Sequence, residues 1–526
     1  MAMRQPPDPR LWLSGLFGVS GGSALSALSG LSLPRQMLLA ALAGLITSLG
    51  LAPFALWPLA LLALACLTLV IRAAQSRRSA ALIGWAAGTG YFALALLWIV
   101  EPFLIDPWLT GWMAPFALVL MSAGLALFWG AAAGLAHGRG GLALIGALAL
   151  AEFARAHLLT GFPWALLGYI WSESPFALYA AYIGPHGLTL VALVTAVSLT
   201  TRPARQELRG YLPLLAVCAA LAATPLLQKE TSAPPDAPIV RILQPNAAQH
   251  EKWDPALARF FFERQLAYTR APAETGQRPD LIVWPETAVP WLLENAQQAL
   301  KTLSDTAGDV PVVLGIQRAE GWRYYNSLIV LAPSGHVQTI YDKHHLVPFG
   351  EYMPLGDSLA RFGITSFAAQ EGNGYSAGPG PRPVSVAGLG VFAPLICYEA
   401  VFPQYAAAFN QRSTHLLQIT NDAWFGRFSG PQQHLSQARM RAIEQGLPLL
   451  RSANTGISAV IDAQGRILAS IPLATSGFID VPLPARLPRT LYGKTGDWPA
   501  LALALLLVAA SWQRSRAKRR SPANSD

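Results

Sequence analysis

The sequence predicts a multi-span α-helical membrane protein, with about eight transmembrane helices and one inserted α/β domain. Three observations lead there. Of 526 residues, 53% are hydrophobic and only 13% are charged, about half the charged share of an ordinary soluble domain. Long runs free of Asp, Glu, Lys and Arg recur between residues 36 and 228 and return once at 498–513. The stretch between them, 236–490, has the composition of a globular domain.

The net charge of +9 invites a nucleic-acid reading, and its placement rejects it. Segments 1–35, 72–78, 137–139, 202–209 and 514–526 hold 15 Lys and Arg against three acids, so the rest of the chain is net negative. Each segment flanks an apolar run, the pattern of cytoplasmic loops rather than of a DNA-binding face. The 41 prolines and 45 glycines are scattered, which excludes collagen-like and low-complexity classes. Three cysteines exclude a disulfide scaffold.

Taken in order, residues 1–35 are a Gly/Ser-rich cytoplasmic lead without a clean signal-peptide cleavage site. Residues 36–228 form a transmembrane domain of about seven helices. Pro53 and Pro58 split the charge-free run 36–71 into two spans. Residues 79–100 and 107–138 hold the third and fourth, each with the roughly 20 apolar residues a span needs. The fifth, from 140, must tolerate Glu152 and Arg155; 174–201 and 210–228 hold the sixth and seventh. The eighth is 498–513, followed by a basic cytoplasmic tail, 514–526. The loop with Glu101 and Asp106 lacks basic residues and is expected outside, whereas Arg72, Arg77, Arg78, Arg202, Arg205 and Arg209 are expected inside. Seven spans starting inside place 236–490 on the outer side of the membrane.

After the polar linker 229–237, strand-like runs recur at Ile239–Leu243, Leu281–Trp284, Val310–Gly315, Ser327–Leu331, Val391–Ile396, Leu416–Thr420 and Ile457–Ile461. Helical patterns lie near 255–271, 293–307, 402–411 and 433–446. Pro-Ser-Gly at 333–335 and Asp-Ala-Gln-Gly at 462–465 mark hairpin turns. The mixture predicts a layered α/β domain.

Three polar residues follow strand-like runs here: Glu286 after Leu-Ile-Val-Trp-Pro, Lys343 after a hairpin strand, and Cys397 after Val-Phe-Ala-Pro-Leu-Ile. Singly, each has a plain alternative: a solvated or capping Glu, a surface Lys, a buried structural thiol. Cys66 and Cys218 sit within apolar spans and read as small hydrophobes. The histidines 344, 345, 415 and 434 lack metal-ligand spacing, so no metal and no cofactor is expected. Asn421 and Asn454 read as turn or backbone-bonding residues.

Together, Glu286, Lys343 and Cys397 resemble the Glu-Lys-Cys set of the nitrilase, or carbon–nitrogen hydrolase, superfamily. Trp-Pro-Glu-Thr-Ala-Val-Pro (284–290), Val-Pro-Phe-Gly-Glu-Tyr-Met-Pro (347–354), Ile-Cys-Tyr-Glu (396–399), Asn-Asp-Ala-Trp-Phe-Gly (421–426) and Gly-Pro-Gln-Gln-His (430–434) narrow the match. Within the predicted membrane layout they resemble the bacterial apolipoprotein N-acyltransferase family. The resemblance implies an αββα sandwich for 236–490. It implies acyl transfer from a phospholipid, with phosphatidylethanolamine as expected donor, to the N-terminal amine of diacylglyceryl-modified apolipoproteins. Cys397 would be the nucleophile, Glu286 the base, and Lys343 the oxyanion partner with the backbone N–H of Tyr398. Glu351 would hold Lys343; Tyr398 and Glu399 would flank the nucleophile; Trp253 and Trp164 would contact substrate. A monomer is expected. A lipid-free amidase would instead work as the excised domain, and a transporter or scaffold would tolerate Cys397→Ala.

Overall fold

The computed structural model describes residues 21–200, 211–273, 276–354, 374–409 and 413–520. The first 20 residues of the lead, the loop carrying Arg202, Arg205 and Arg209, and the end of the tail lie outside the described residues.

Each of the eight expected spans contains a helix. The helical half runs α1 (Gly21–Ser29), α2 (Leu33–Ser48), α3 (Trp57–Arg72), α4 (Arg77–Ala95), α5 (Ala114–Ala136), α6 (Gly141–His157), α7 (Ala180–Thr200) and α8 (Leu212–Ala223). Thus the described part of the lead already carries a helix, α1. By length and hydropathy, Pro107–Ala136 and Pro175–Thr200 are sufficient to cross a bilayer, or three stretches if the bent Arg77–Leu104 pair counts as one. That pair bends by 50°, so the third expected span is not straight: a 3-10 turn, Leu97–Leu104, replaces its last α-helical turn.

Small residues let these helices approach closely. A Cβ on Gly84 would lie 2.6 Å from Ala133 Cβ, and one on Gly88 would lie 2.9 Å from Ala126 Cα. Gly130 and Gly134 of α5 face Ala81 of α4 in return. Two glycine pairs at i,i+4 therefore interlock α4 with α5, the packing that membranes favour where no hydrophobic force acts between helices.

The α/β half is built from two six-stranded sheets. The first has β1 (Ile239–Gln244), β2 (Leu281–Val283), β3 (Val312–Glu320), β4 (Arg323–Leu331), β5 (Val337–Asp342) and β12 (Gly477–Pro482), in the order β12-β1-β2-β3-β4-β5. The second has β6 (Val384–Val386), β7 (Gly390–Ile396), β8 (His415–Thr420), β9 (Leu449–Ala453), β10 (Ser458–Ile461) and β11 (Ile467–Ile471), in the order β11-β10-β9-β8-β7-β6. Strand alternation assigns the two faces. Val240, Ile242, Leu281, Val283, Leu328 and Val330 meet Phe392, Leu417 and Leu450 of the other sheet. Leu243, Ile282, Leu314 and Ile329 instead meet Phe262, Leu266, Leu300 and Leu303 of α9 (Pro255–Arg270) and α10 (Gln297–Ala307). On the outer face of the second sheet lie α11 (Pro403–Phe409) and α12 (Gly430–Gln445). The result is a four-layer αββα sandwich.

Strands β1 and β12 pair antiparallel from Ile239↔Pro482 to Gln244↔Gly477. The chain therefore enters and leaves the sandwich at one edge. It returns to the helical half through α13 (Leu491–Thr495) and α14 (Trp498–Arg520). The last helix runs past 513 into the basic segment, and it packs on α6, where a Cβ on Gly146 would lie 2.7 Å from Ala504 O.

Candidate active site

Glu286, Lys343 and Cys397 each follow the end of a strand: β2, β5 and β7 respectively. All three are buried in one site. Cys397 has φ +51°, a left-handed conformation that most side chains avoid. A strained turn of this kind persists only where its surroundings over-determine it. Here, the Ile396 N–H just before the turn donates to Glu399 Oε2 at 2.8 Å. Just after the Cys397 α-carbon, the Cys397 carbonyl accepts from Gln418 Nε2 at 3.3 Å and lies 3.1 Å from His434 Nε2.

Glu286 has a similar tight setting. Strand β3 passes directly beneath it, and a Cβ on Gly315 would lie 2.6 Å from Glu286 Cα and 2.4 Å from Thr287 N. Only glycine admits this approach. Glu286 Oε1 accepts from Asn326 Nδ2 at 2.6 Å, while buried Oε2 has no hydrogen-bond partner among the described residues. The second oxygen is therefore available to a reacting proton. Lys343 is clamped by Glu351, whose two oxygens lie 2.9 and 2.8 Å from Nζ. Glu351 Oε2 also accepts from Val347 N–H at 2.9 Å.

Burial and charge set the protonation states. Burial, then the Glu286 charge, pushes the Cys397 thiol well above its usual range; Lys343 opposes this without reversing it. Burial also raises Glu286, against the lowering influence of Lys343. For Lys343, burial favours the neutral amine, but Glu351, Cys397 and Glu286 outweigh it and hold the ammonium charged. At rest, the site thus holds a neutral thiol, an ammonium and a carboxylate primed to accept a proton.

The remaining expected residues divide. Glu351 is on the Lys343 ammonium, as the resemblance implies. Trp253 lines a cleft that it shares with Glu286, Thr287, Phe261 and Asn454. Glu399 points away from the sulfur. Its carboxylate accepts from the backbone of His344 and Ile396 and from the Tyr341 hydroxyl, which fastens the ends of β5 and β7 together. Tyr398 packs its ring against Phe402 and His345. Trp164 is fully buried at the seam between the two halves, tilted against Trp98 with ring centroids 4.4 Å apart and donating to Gln433 Oε1 at 2.7 Å. It offers no open face there to a substrate. Asn454 bonds the Ala247 backbone and Asn421, a structural use of both asparagines.

Two groups escaped sequence reasoning. Asn326, in the middle of β4, bridges Glu286 and Glu351, at 2.6 and 3.3 Å. Lys252 is buried and donates to the Glu286 carbonyl at 3.0 Å and to Thr287 Oγ1 at 2.5 Å. Burial brings its pKa down to about 8 despite the opposing pull of Glu286 and Cys397. Its position beside Trp253, within Lys-Trp-Asp at 252–254, was the available signal.

Comparison with known proteins adds the family. Residues 245–489 match the carbon-nitrogen hydrolase family, and residues 43–198 match the apolipoprotein N-acyltransferase N-terminal domain. An apolipoprotein N-acyltransferase of Bradyrhizobium diazoefficiens is 37% identical over 521 residues, covering 92% of this chain and 96% of that protein. One from Brucella melitensis is 37% identical over 509 residues, covering 91% and 95%. Among solved structures, a nitrilase-superfamily amidase of Nesterenkonia AN1 covers 51% of this chain and 97% of its own, with 18% identity and a TM-score of 0.37. The two family matches, in order along one chain, and relatives of equal length at this identity establish that the chain belongs to the apolipoprotein N-acyltransferase family.

Proposed function

We propose that this enzyme moves one fatty acyl chain from a phospholipid to the N-terminal amine of diacylglyceryl-cysteine in apolipoproteins, by a ping-pong route through Cys397. Glu286 takes the thiol proton as sulfur attacks the ester carbonyl. Lys343 and the Tyr398 N–H stabilise the oxyanion. Collapse breaks the ester C–O bond, and the lysophospholipid oxygen takes the proton back from Glu286. The incoming amine then attacks the thioester and loses a proton to Glu286; the C–S bond breaks, and Glu286 returns that proton to the departing Cys397 sulfur. The convergence of three strand-end groups in one buried site, with Lys343 clamped by Glu351, carries this reading.

About eight spans, with seven before residue 236 and one at 498–513, would anchor a monomer in the inner membrane. The arrangement of basic loops supports a catalytic domain, 236–490, on the periplasmic side. Phosphatidylethanolamine is the proposed donor, and Trp253 the residue lining its acyl chain. An apolar approach from the bilayer would keep water from the thioester.

The test is intact mass of the full-length protein in detergent after incubation with phosphatidylethanolamine, wild type beside Cys397→Ala. A gain of one fatty acyl mass, confined to wild type and discharged by a diacylglyceryl-cysteine peptide, is expected. No adduct with a free, reduced Cys397 would refute the reading.

A further inference from the structure

One helix touches both the helical half and the nucleophile turn. On α12, Gln433, Ser436 and Arg439 recur at i, i+3 and i+6, so they share one side. Gln433 Oε1 accepts from Trp164 Nε1 at 2.7 Å, Ser436 Oγ donates to Ser172 Oγ at 2.8 Å, and Arg439 Nη1 donates to Glu173 Oε2 at 2.5 Å. All three partners lie in the 158–179 connection of the helical half. His434 and Arg441, at i and i+7, share a different side. His434 Nε2 lies 3.1 Å from the Cys397 carbonyl oxygen and 3.1 Å from Gln418 Nε2, which donates to that carbonyl at 3.3 Å, and Arg441 Nη1 donates to the Val401 carbonyl at 2.9 Å. These carbonyls mark the two ends of the 3-10 turn Cys397–Val401. The other end of each linkage is equally fixed. His434 Nδ1 lies 2.8 Å from Asp422 Oδ1, and Asp422 Oδ2 accepts from Arg451 Nη2 at 2.5 Å. The 162–167 backbone is held by the buried Glu152–Arg155 pair: Arg155 donates to the Trp164 carbonyl at 2.8 Å and Glu152 accepts from Leu167 N–H at 3.1 Å.

The bond to the Cys397 carbonyl has a geometric consequence. That carbonyl and the Tyr398 N–H belong to one planar peptide unit and point in opposite directions. Whatever fixes the carbonyl aims the N–H. We propose that His434 is a positioning residue that aims the Tyr398 N–H at the oxyanion, and that α12 makes this aim depend on its seat against the helical half at Trp164. The inference rests on the oxyanion role proposed above for that N–H. The helical half is then part of the catalytic scaffold as well as a membrane anchor.

The test uses full-length protein in detergent micelles with phosphatidylethanolamine, reading the single-turnover rate of thioester formation and its dependence on donor concentration. His434→Leu removes the imidazole from the carbonyl and from Gln418 Nε2, leaving Gln418 as the remaining side chain on that carbonyl. Its maximal rate should fall about 100-fold, the scale of a small misplacement of a catalytic group, with the donor concentration for half-maximal rate unchanged. His434→Gln, which keeps a donor, should recover most of the loss. Gln433→Leu cuts only the link to Trp164 and should slow the maximal rate about 10-fold, again without change in donor dependence. It also serves if His434→Leu fails to fold. Wild-type rates in both Leu variants would overturn the inference. A slow His434→Leu beside a normal Gln433→Leu would overturn the dependence on the helical half. Absence of any thioester in wild type would instead overturn the reading of Cys397 itself.

Discussion

Replacing Glu351 by Gln changes one oxygen for a nitrogen and should nearly abolish turnover. Both Glu351 oxygens face donors: Oε1 meets Lys343 Nζ and Asn326 Nδ2, and Oε2 meets Lys343 Nζ and Val347 N–H. Either orientation of a glutamine amide sets its NH2 against a donor. The Lys343 ammonium, almost wholly buried, loses its charged partner. Breaking such a pair costs about 3–5 kcal/mol. Displacing one oxyanion partner costs about 100- to 1,000-fold in rate. Thioester formation in Glu351→Gln should therefore fall by about 100-fold or more, with a lower melting temperature in detergent. The pH response follows from the charges. In wild type, Lys343 is held above its ordinary value, so its contribution to stability is present at every pH below about 10.4 and fades only above that. Without Glu351, Lys343 loses the largest of the charges that raise it, so the variant's stability deficit is fullest below about pH 10.4 and narrows above it. The measurements are single-turnover mass spectrometry and thermal melts across pH. A variant with wild-type rate and melting temperature would show that the clamp on Lys343 is dispensable.

Three further outcomes are expected. Lys252→Met removes a cation that holds the Glu286 pKa down, so the acid limb of the rate profile should move to higher pH; an unmoved limb would separate Lys252 from Glu286. Lys252 itself is charged below about 8 and neutral above it, so any wild-type inflection near that value should vanish in the variant. Gly315→Ala forces a Cβ into the backbone of Glu286 and Thr287; overpacking of this kind costs about 1–3 kcal/mol, and thioester formation should fall while the protein remains folded. Arg155→Met leaves Glu152 buried without its partner at 2.9 Å, and the detergent melting curve should show a loss of about 3–5 kcal/mol; an unchanged curve would count against the structural role of the pair.

Much of this architecture was legible because its signals are local. Charge-free runs marked most helices of the helical half, though not α1, and α6 only once Glu152 and Arg155 were tolerated; the Pro53/Pro58 interruption did separate α2 from α3. The apolar runs before Glu286 and Cys397 ended where the strands end. Strands β6, β9, β11 and β12 escaped: β11 and β12 are largely exposed or half-buried, β6 is three residues long, and buried β9 carries Arg451 and Ser452 in place of an unbroken apolar run. The helix ends were less legible: the bend after Ala95 and the run of α14 through 514–520 depend on packing rather than composition. Within the site, the three residues at strand ends were visible, since a polar residue after an apolar run is a local event. Asn326 was not, because its role comes from the antiparallel register that sets Ser327 opposite Asp342 and brings β4 beside Lys343. Glu399 lay beside the nucleophile in sequence, yet its side chain turns to the backbone, an orientation that neighbours in sequence do not dictate.

The buried, protonated state of Cys397 bears on chemical inhibition. Reagents that depend on a ready thiolate, such as simple alkylating agents, meet a neutral sulfur beside a carboxylate. An effective covalent inhibitor would carry its own carbonyl electrophile, so that Lys343 accepts the developing negative charge while Glu286 removes the thiol proton. With an acyl tail to follow the lipid into the site, such a compound would draw selectivity from the very feature that makes the resting thiol inert.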